Sequence, residues 1–172
     1  MKRALFSLMS SPLLVAASIP STPDLGTAEG KCRSNELGPS FMVNVEGLKD
    51  RTGRLKLEVY PANDSDFLQD DNILVSAGKV FRRVEQPVPA SGPVRVCVRL
   101  PSAGSYAVSL LHDRDSNREF SWRVDGIGFA GNPKLGWNKP HASAASAIAR
   151  SGPTPIGIVM NYRRGLGMRP VR

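Results

Sequence analysis

Histidine and cysteine are scarce in this chain, with two of each in 172 residues. A structural zinc site takes about four ligands, often from closely spaced cysteine pairs. Cys32 and Cys97 stand far apart with no C-x-x-C, so zinc has no frame here. No G-x-S-x-G elbow, P-loop or nucleophile–base pair at a familiar spacing is present. Gly126-Ile127-Gly128 followed by Gly131 matches a dinucleotide fingerprint by letters alone. No hydrophobic strand precedes it and no amphipathic helix follows, so these read as loop glycines. Beyond the N-terminus no apolar stretch reaches the roughly 20 residues that span a bilayer, which argues against an integral membrane protein.

What the N-terminus does have is a three-part pattern. Lys2 and Arg3 precede an uncharged run from Ala4 to Ala17, and the small residues Ala16 and Ser18 follow a small-x-small spacing. Residues 1–18 are therefore read as a cleavable secretion signal, with a periplasmic or secreted destination. Loss of Lys2 and Arg3 takes the formal charge from +8 to about +6. Export takes nucleic acid off the list of partners for this basic chain. Envelope polysaccharide or an anionic lipid surface remain, with the actual partner unknown. An oxidising compartment also makes a Cys32–Cys97 disulfide the expected state of the two cysteines.

Residues 19–40 are rich in proline and glycine and lack apolar periodicity, so they read as an extended arm or linker. Period-two alternation begins at Phe41, Val43 and Val45 and resumes at Leu55, Leu57 and Val59. A further strand of uncertain phase is expected within 75–88. Val94, Val96, Val98 and Leu100 share one strand face, which turns Cys97 outward; a bridge there would strap the arm across the outside of the sheet. Tyr106 to Leu111 reads as a strand buried on both faces. Residues 113–153 read as a long irregular region, with a short helix from Ala142 to Ala149 and one more strand at 120–124. The last strand is expected over 156–162, and 165–172 as a basic tail. About seven short strands imply an all-β domain over 41–164, a single immunoglobulin-like or transthyretin-like sandwich.

Several segments in this order carry a resemblance. They are Val45-Glu46-Gly47-Leu48, then Gly53 to Tyr60, Leu100-Pro101, Gly104 to Val108, His112 to Asn117, and Gly126 to Pro133. From about Phe41 to Arg164 the chain resembles the bacterial family called domain of unknown function 2141. Members are small exported proteins with a β-sandwich and no assigned activity. The resemblance implies compartment and fold and supplies no catalytic residues.

Asp113, Asp115, Asn117 and Glu119 alternate like the start of a calcium loop. Family segments often carry glycine at the sixth position of that pattern; here Arg118 stands there, and Val124 holds the twelfth position, where a bidentate Glu belongs. A turn closed by Asx hydrogen bonds is the alternative. His112, with Asp113 or with His141, is the candidate for hydrolase or metal chemistry; the alternative is a packed ring with one nitrogen bonded to a loop carbonyl. Trp122, Phe129 and Trp137 are a candidate carbohydrate-stacking platform, or else anchors that plug the end of the sandwich, and His112 is a further candidate ligand-binding residue. No residue is assigned as catalytic. The reading is a non-catalytic binding or structural module of the cell envelope with no cofactor, against a calcium-binding module or a hydrolase using His112 and Asp113.

Overall fold

A computed structural model describes residues 19–171, so the signal expected at residues 1–18 lies outside the described residues. Alternating apolar residues build a two-sheet sandwich. The smaller sheet is formed by β1 (Ser40–Glu46), β4 (Val94–Arg99) and β8 (Pro153–Val159), in the order β4-β1-β8. The larger contains β2 (Arg54–Pro61), β3 (Arg82–Pro87), β5 (Gly104–Asp113), β6 (Gly126–Phe129), β9 (Asn161–Arg164) and β10 (Gly167–Pro170), in the order β10-β9-β6-β5-β2-β3. The remaining strand, β7 (Ser146–Ala149), shares β5 with β6: β7 pairs residues 104–107 and β6 pairs residues 109–112. Phe41, Val43, Leu55, Leu57, Val96, Val98, Val108, Leu110 and Ile158 meet between the sheets as one core. The all-β sandwich is thus as expected, with ten strands among the described residues in place of about seven.

The large sheet is covered on its outer face as well. Tyr60, Phe67, Phe81 and Phe129 form a chain of edge-to-face rings there, roofed by Leu74 of α2 (Asp71–Ser76). This second apolar layer explains why β5 is buried on both faces. Residues 19–30 dock beside it. Arg83 reaches back to the carbonyls of Thr22 and Pro23 and ion-pairs with Glu58 and Asp71. A one-turn helix, α1 (Thr27–Gly30), then leads to Lys31, which bridges Val98 of β4. The Cys32–Cys97 disulfide closes beside that bridge, on the outside of the small sheet.

Five segments differ from the expectation. The helix expected over 142–149 is a single 3-10 turn, Ala142–Ala145, and residues 146–149 are β7, drawn into the sheet by pairing with β5. Residues 71–76 are helical and β3 begins only at Arg82, so the strand within 75–88 is shorter than expected. Residues 120–124 form a turn, whereas Gly126–Phe129 form a strand. Of the glycines read as loop residues, Gly131 lies in a turn, but Gly126 and Gly128 face inward from the strand, where Tyr162 packs on Gly126 and Ile158 on Gly128; a Cβ would meet those side chains at 2.4 and 2.6 Å. The expected last strand is two strands, β8 in the small sheet and β9 in the large one, with the chain crossing at Met160. Finally, part of the segment expected as a basic tail is β10. Gly165, at φ +65°, reverses the chain so that Arg169 pairs with Tyr162.

Candidate functional site

His112 lies at the end of β5 with its ring fully buried. Its Nε2 is 2.8 Å from the carbonyl oxygen of Thr52, which can only accept, so Nε2 carries the proton. Its Nδ1 then accepts from the Tyr162 hydroxyl at 2.6 Å, and that oxygen accepts the Lys49 N–H at 3.1 Å. Burial pushes the imidazole below its ordinary pKa, and the Thr52 carbonyl opposes this only in part. Burial likewise pushes Tyr162 up to about 12, so the hydroxyl stays protonated. Both ring nitrogens are engaged, which makes this histidine a tie between the β1–β2 loop, β5 and β9. Burial works against ionisation of nearby Asp50, but hydrogen bonds from Arg114 and Thr52 outweigh it and hold the carboxyl well below the usual range. His141 sits apart, exposed and paired with Asp64 at 2.8 Å.

Asp113 turns its carboxylate into the following loop. Its two oxygens accept the backbone N–H groups of Asn117 and Arg118. Asp115 accepts from Asn117, and the Asn117 side chain accepts the Glu119 N–H. These are Asx-type turns. Arg118 adopts φ +68°, the left-handed conformation that glycine would supply at this position. Asp113 and Asp115 each bring an oxygen within 4.8 Å of the other, and the third carboxylate in that group belongs to Asp125, not Glu119. Asp125 follows Val124, one residue past the place where a calcium loop has its Glu. It is buried and accepts the N–H groups of Arg114 and Ser121.

The three aromatics come together. Trp122, Phe129 and Trp137 line one groove on the outer face of the large sheet, with a cavity volume of about 480 Å³. The outward residues Leu111 and Ile127 form its floor with Phe129. Phe129 is buried and stacks edge-on against Phe67 at 5.8 Å, so it serves both the groove and the outer core. Trp122 is 40% exposed and Trp137 is 82% exposed. The Arg163 guanidinium lies 4.4 Å from the Trp122 ring centre, a cation–π contact that fixes the ring's orientation. Lys139 anchors the Trp137 loop by donating to the Asp64 and Phe67 carbonyls. Leu166 and Met168, at the β9–β10 hairpin, supply a wall that the sequence did not point to. His112 is not among the lining residues.

Beyond that wall a second, wider groove of about 1300 Å³ shares Trp137, Leu166 and Met168 with the first. Its charged lining residues are Lys134, Arg164 and Arg169, with no acidic side chain among them. Among the described residues no helix is long and apolar enough to cross a membrane.

No curated protein and no solved structure matches the chain. A family model described as an uncharacterized protein conserved in bacteria matches residues 43–156, from β1 into β8. That span holds His112 and its Thr52 partner but not Tyr162, together with the Asp113–Asp125 turns and the Trp122 and Trp137 sides of the groove, and ends before the β9–β10 hairpin. By this match over most of its length, the chain belongs to the bacterial family of domain of unknown function 2141.

Proposed function

We propose that this protein is an exported, non-catalytic binding module of the bacterial cell envelope, and that the groove beneath Trp122 and Trp137 is its site. One observation carries the reading: two large aromatic side chains stay exposed over a concave apolar floor although the same sheet face has a closed core beside it. Exposed aromatic surface of this kind is a recognised mark of a binding site. The disulfide agrees with an oxidising compartment. The engaged nitrogens of His112 and the backbone-bonded oxygens of Asp113 leave neither residue poised for hydrolysis. The test is retention on isolated envelope. Trp137→Ala and Trp122→Ala are expected to weaken retention several-fold with an unchanged melting temperature. Equal retention of wild type and both variants would sink the reading.

A second reading has its own observation, the clustering of Asp113, Asp115 and Asp125. These carboxylates would contribute to a calcium site, which takes about six to eight oxygens. Binding to the folded state alone would raise the melting temperature by mass action. An unchanged melt at millimolar calcium removes this reading.

A further inference from the structure

We infer that the groove takes a single-chain anionic amphiphile, its acyl chain against Trp122 and Trp137 and its acidic head among Lys134, Arg164 and Arg169. The inference rests on the groove being the binding site and names its ligand class.

Three observations lead there. First, the two grooves are one surface divided by a shared wall of Trp137, Leu166 and Met168, so one ligand can lie across both. Second, their chemistry differs by half. The aromatic half is floored by Leu111, Ile127 and Phe129; its one acidic lining residue, Glu58, is bonded to Arg83 and Tyr60, and its two lysines, Lys56 and Lys139, already donate to the carbonyls of Arg118 and of Asp64 and Phe67. The other half is lined by three cations and no anion. Among the described residues, Lys134 and Arg169 have no ion-pair partner, and Arg164 only donates to the Pro170 carbonyl. Guanidinium groups recognise carboxylate and phosphate through charge-assisted, often paired hydrogen bonds. Third, the size suits a small molecule: the aromatic half, at about 480 Å³, falls within the usual range for such sites. A sugar would need free polar groups beside the rings, and few are free: Glu58, Lys56 and Lys139 are already engaged, which leaves Ser109 and Asn138.

Both tryptophans of the chain lie in the groove, so intrinsic fluorescence reports on it directly. The probes are dodecanoate as a monomer, dodecyl maltoside as the same chain with an uncharged head, phosphatidylglycerol vesicles, and soluble envelope glycan fragments. Dodecanoate is expected to shift the emission saturably and to bind about tenfold more tightly than dodecyl maltoside. Arg164→Gln combined with Arg169→Gln should erase that preference while leaving dodecyl maltoside binding intact. Trp137→Ala should weaken binding of both. All variants should melt with the wild type, since the changed side chains are exposed. Absence of saturable dodecanoate binding overturns the inference. So does equal affinity for the two chains, or a preference that survives the double substitution. Response to vesicles but not to monomer would assign the surface to a membrane and also overturn it. If glycan shifts the emission and dodecanoate does not, the amphiphile falls and the groove stands as the site. If no probe does, both readings fall.

Discussion

At His112 one ring closes three segments of chain, and its protonation state follows from its partners. The folded protein holds the ring neutral, with a lowered pKa, whereas the unfolded chain takes up a proton near pH 6.5. Below that pH the unfolded state binds more protons than the folded one, so stability falls as pH drops. The urea midpoint should therefore decline between about pH 7 and pH 5, above the range of ordinary carboxylates. His112→Gln should be less stable at neutral pH but show a flatter profile. A wild-type midpoint constant across that interval would contradict the tie. Arg118 offers a second residue-scale prediction. Its left-handed backbone is strained for any residue with a Cβ. Its ion pair with Glu85, at 3.5 Å and half-exposed, contributes little. Arg118→Gly should raise stability by up to about 1 kcal/mol in urea titration; a lower midpoint would count against it. The sequence marked Asp113 and Asp115 because their alternation is local. It did not mark Asp125, whose approach depends on how the 114–124 turn folds back onto Asp113.

Among the elements, β1, β2, β4 and β5 were legible because one face of each is apolar at every second residue. β6 was not, since the residues that face inward are Gly126 and Gly128, which carry no side chain to register a period. The division of β8 from β9 was hidden for the opposite reason. Ile156, Ile158, Met160 and Tyr162 keep a single parity straight through the crossing. Parity reports which residues face the core, and both sheets face the same core. The groove was half legible. Isolated aromatics pointed to Trp122 and Trp137, but the Leu166–Met168 wall depends on a hairpin written in glycine and arginine. The N-terminal arm yields an element-scale prediction. The Cys32–Cys97 bridge spans 65 residues of sequence, so the chain-entropy model gives it about 4 kcal/mol of stabilisation. Reductant, or Cys32→Ser with Cys97→Ser, should lower unfolding free energy by a substantial part of that. Arg83 should hold the arm over β3 even so, through its bonds to Thr22 and Pro23. Partial proteolysis would reveal an arm released by reduction alone, contrary to that expectation.

For the molecule as a whole, the excess of positive charge has a place: Arg163, Arg164 and Arg169 cluster on the β9–β10 hairpin, beside the exposed aromatics. The parallel pairing of β1 with β8 has a consequence in time. β1 finds β4 midway along the sequence, but its other edge waits for residues 153–159 near the C-terminal end. Contacts between such distant segments form late and slow folding. A folding chain therefore passes through a stage in which the backbone of Phe41 to Val45 lies open along one side. An open apolar strand edge is a template for association between chains. A version ending before Pro153 should therefore gather into high-molecular-weight species on size exclusion, where the full chain should run as a discrete peak. The closing strand acts as a late latch: until it shuts, the first strand of the fold remains available to the same strand of another molecule.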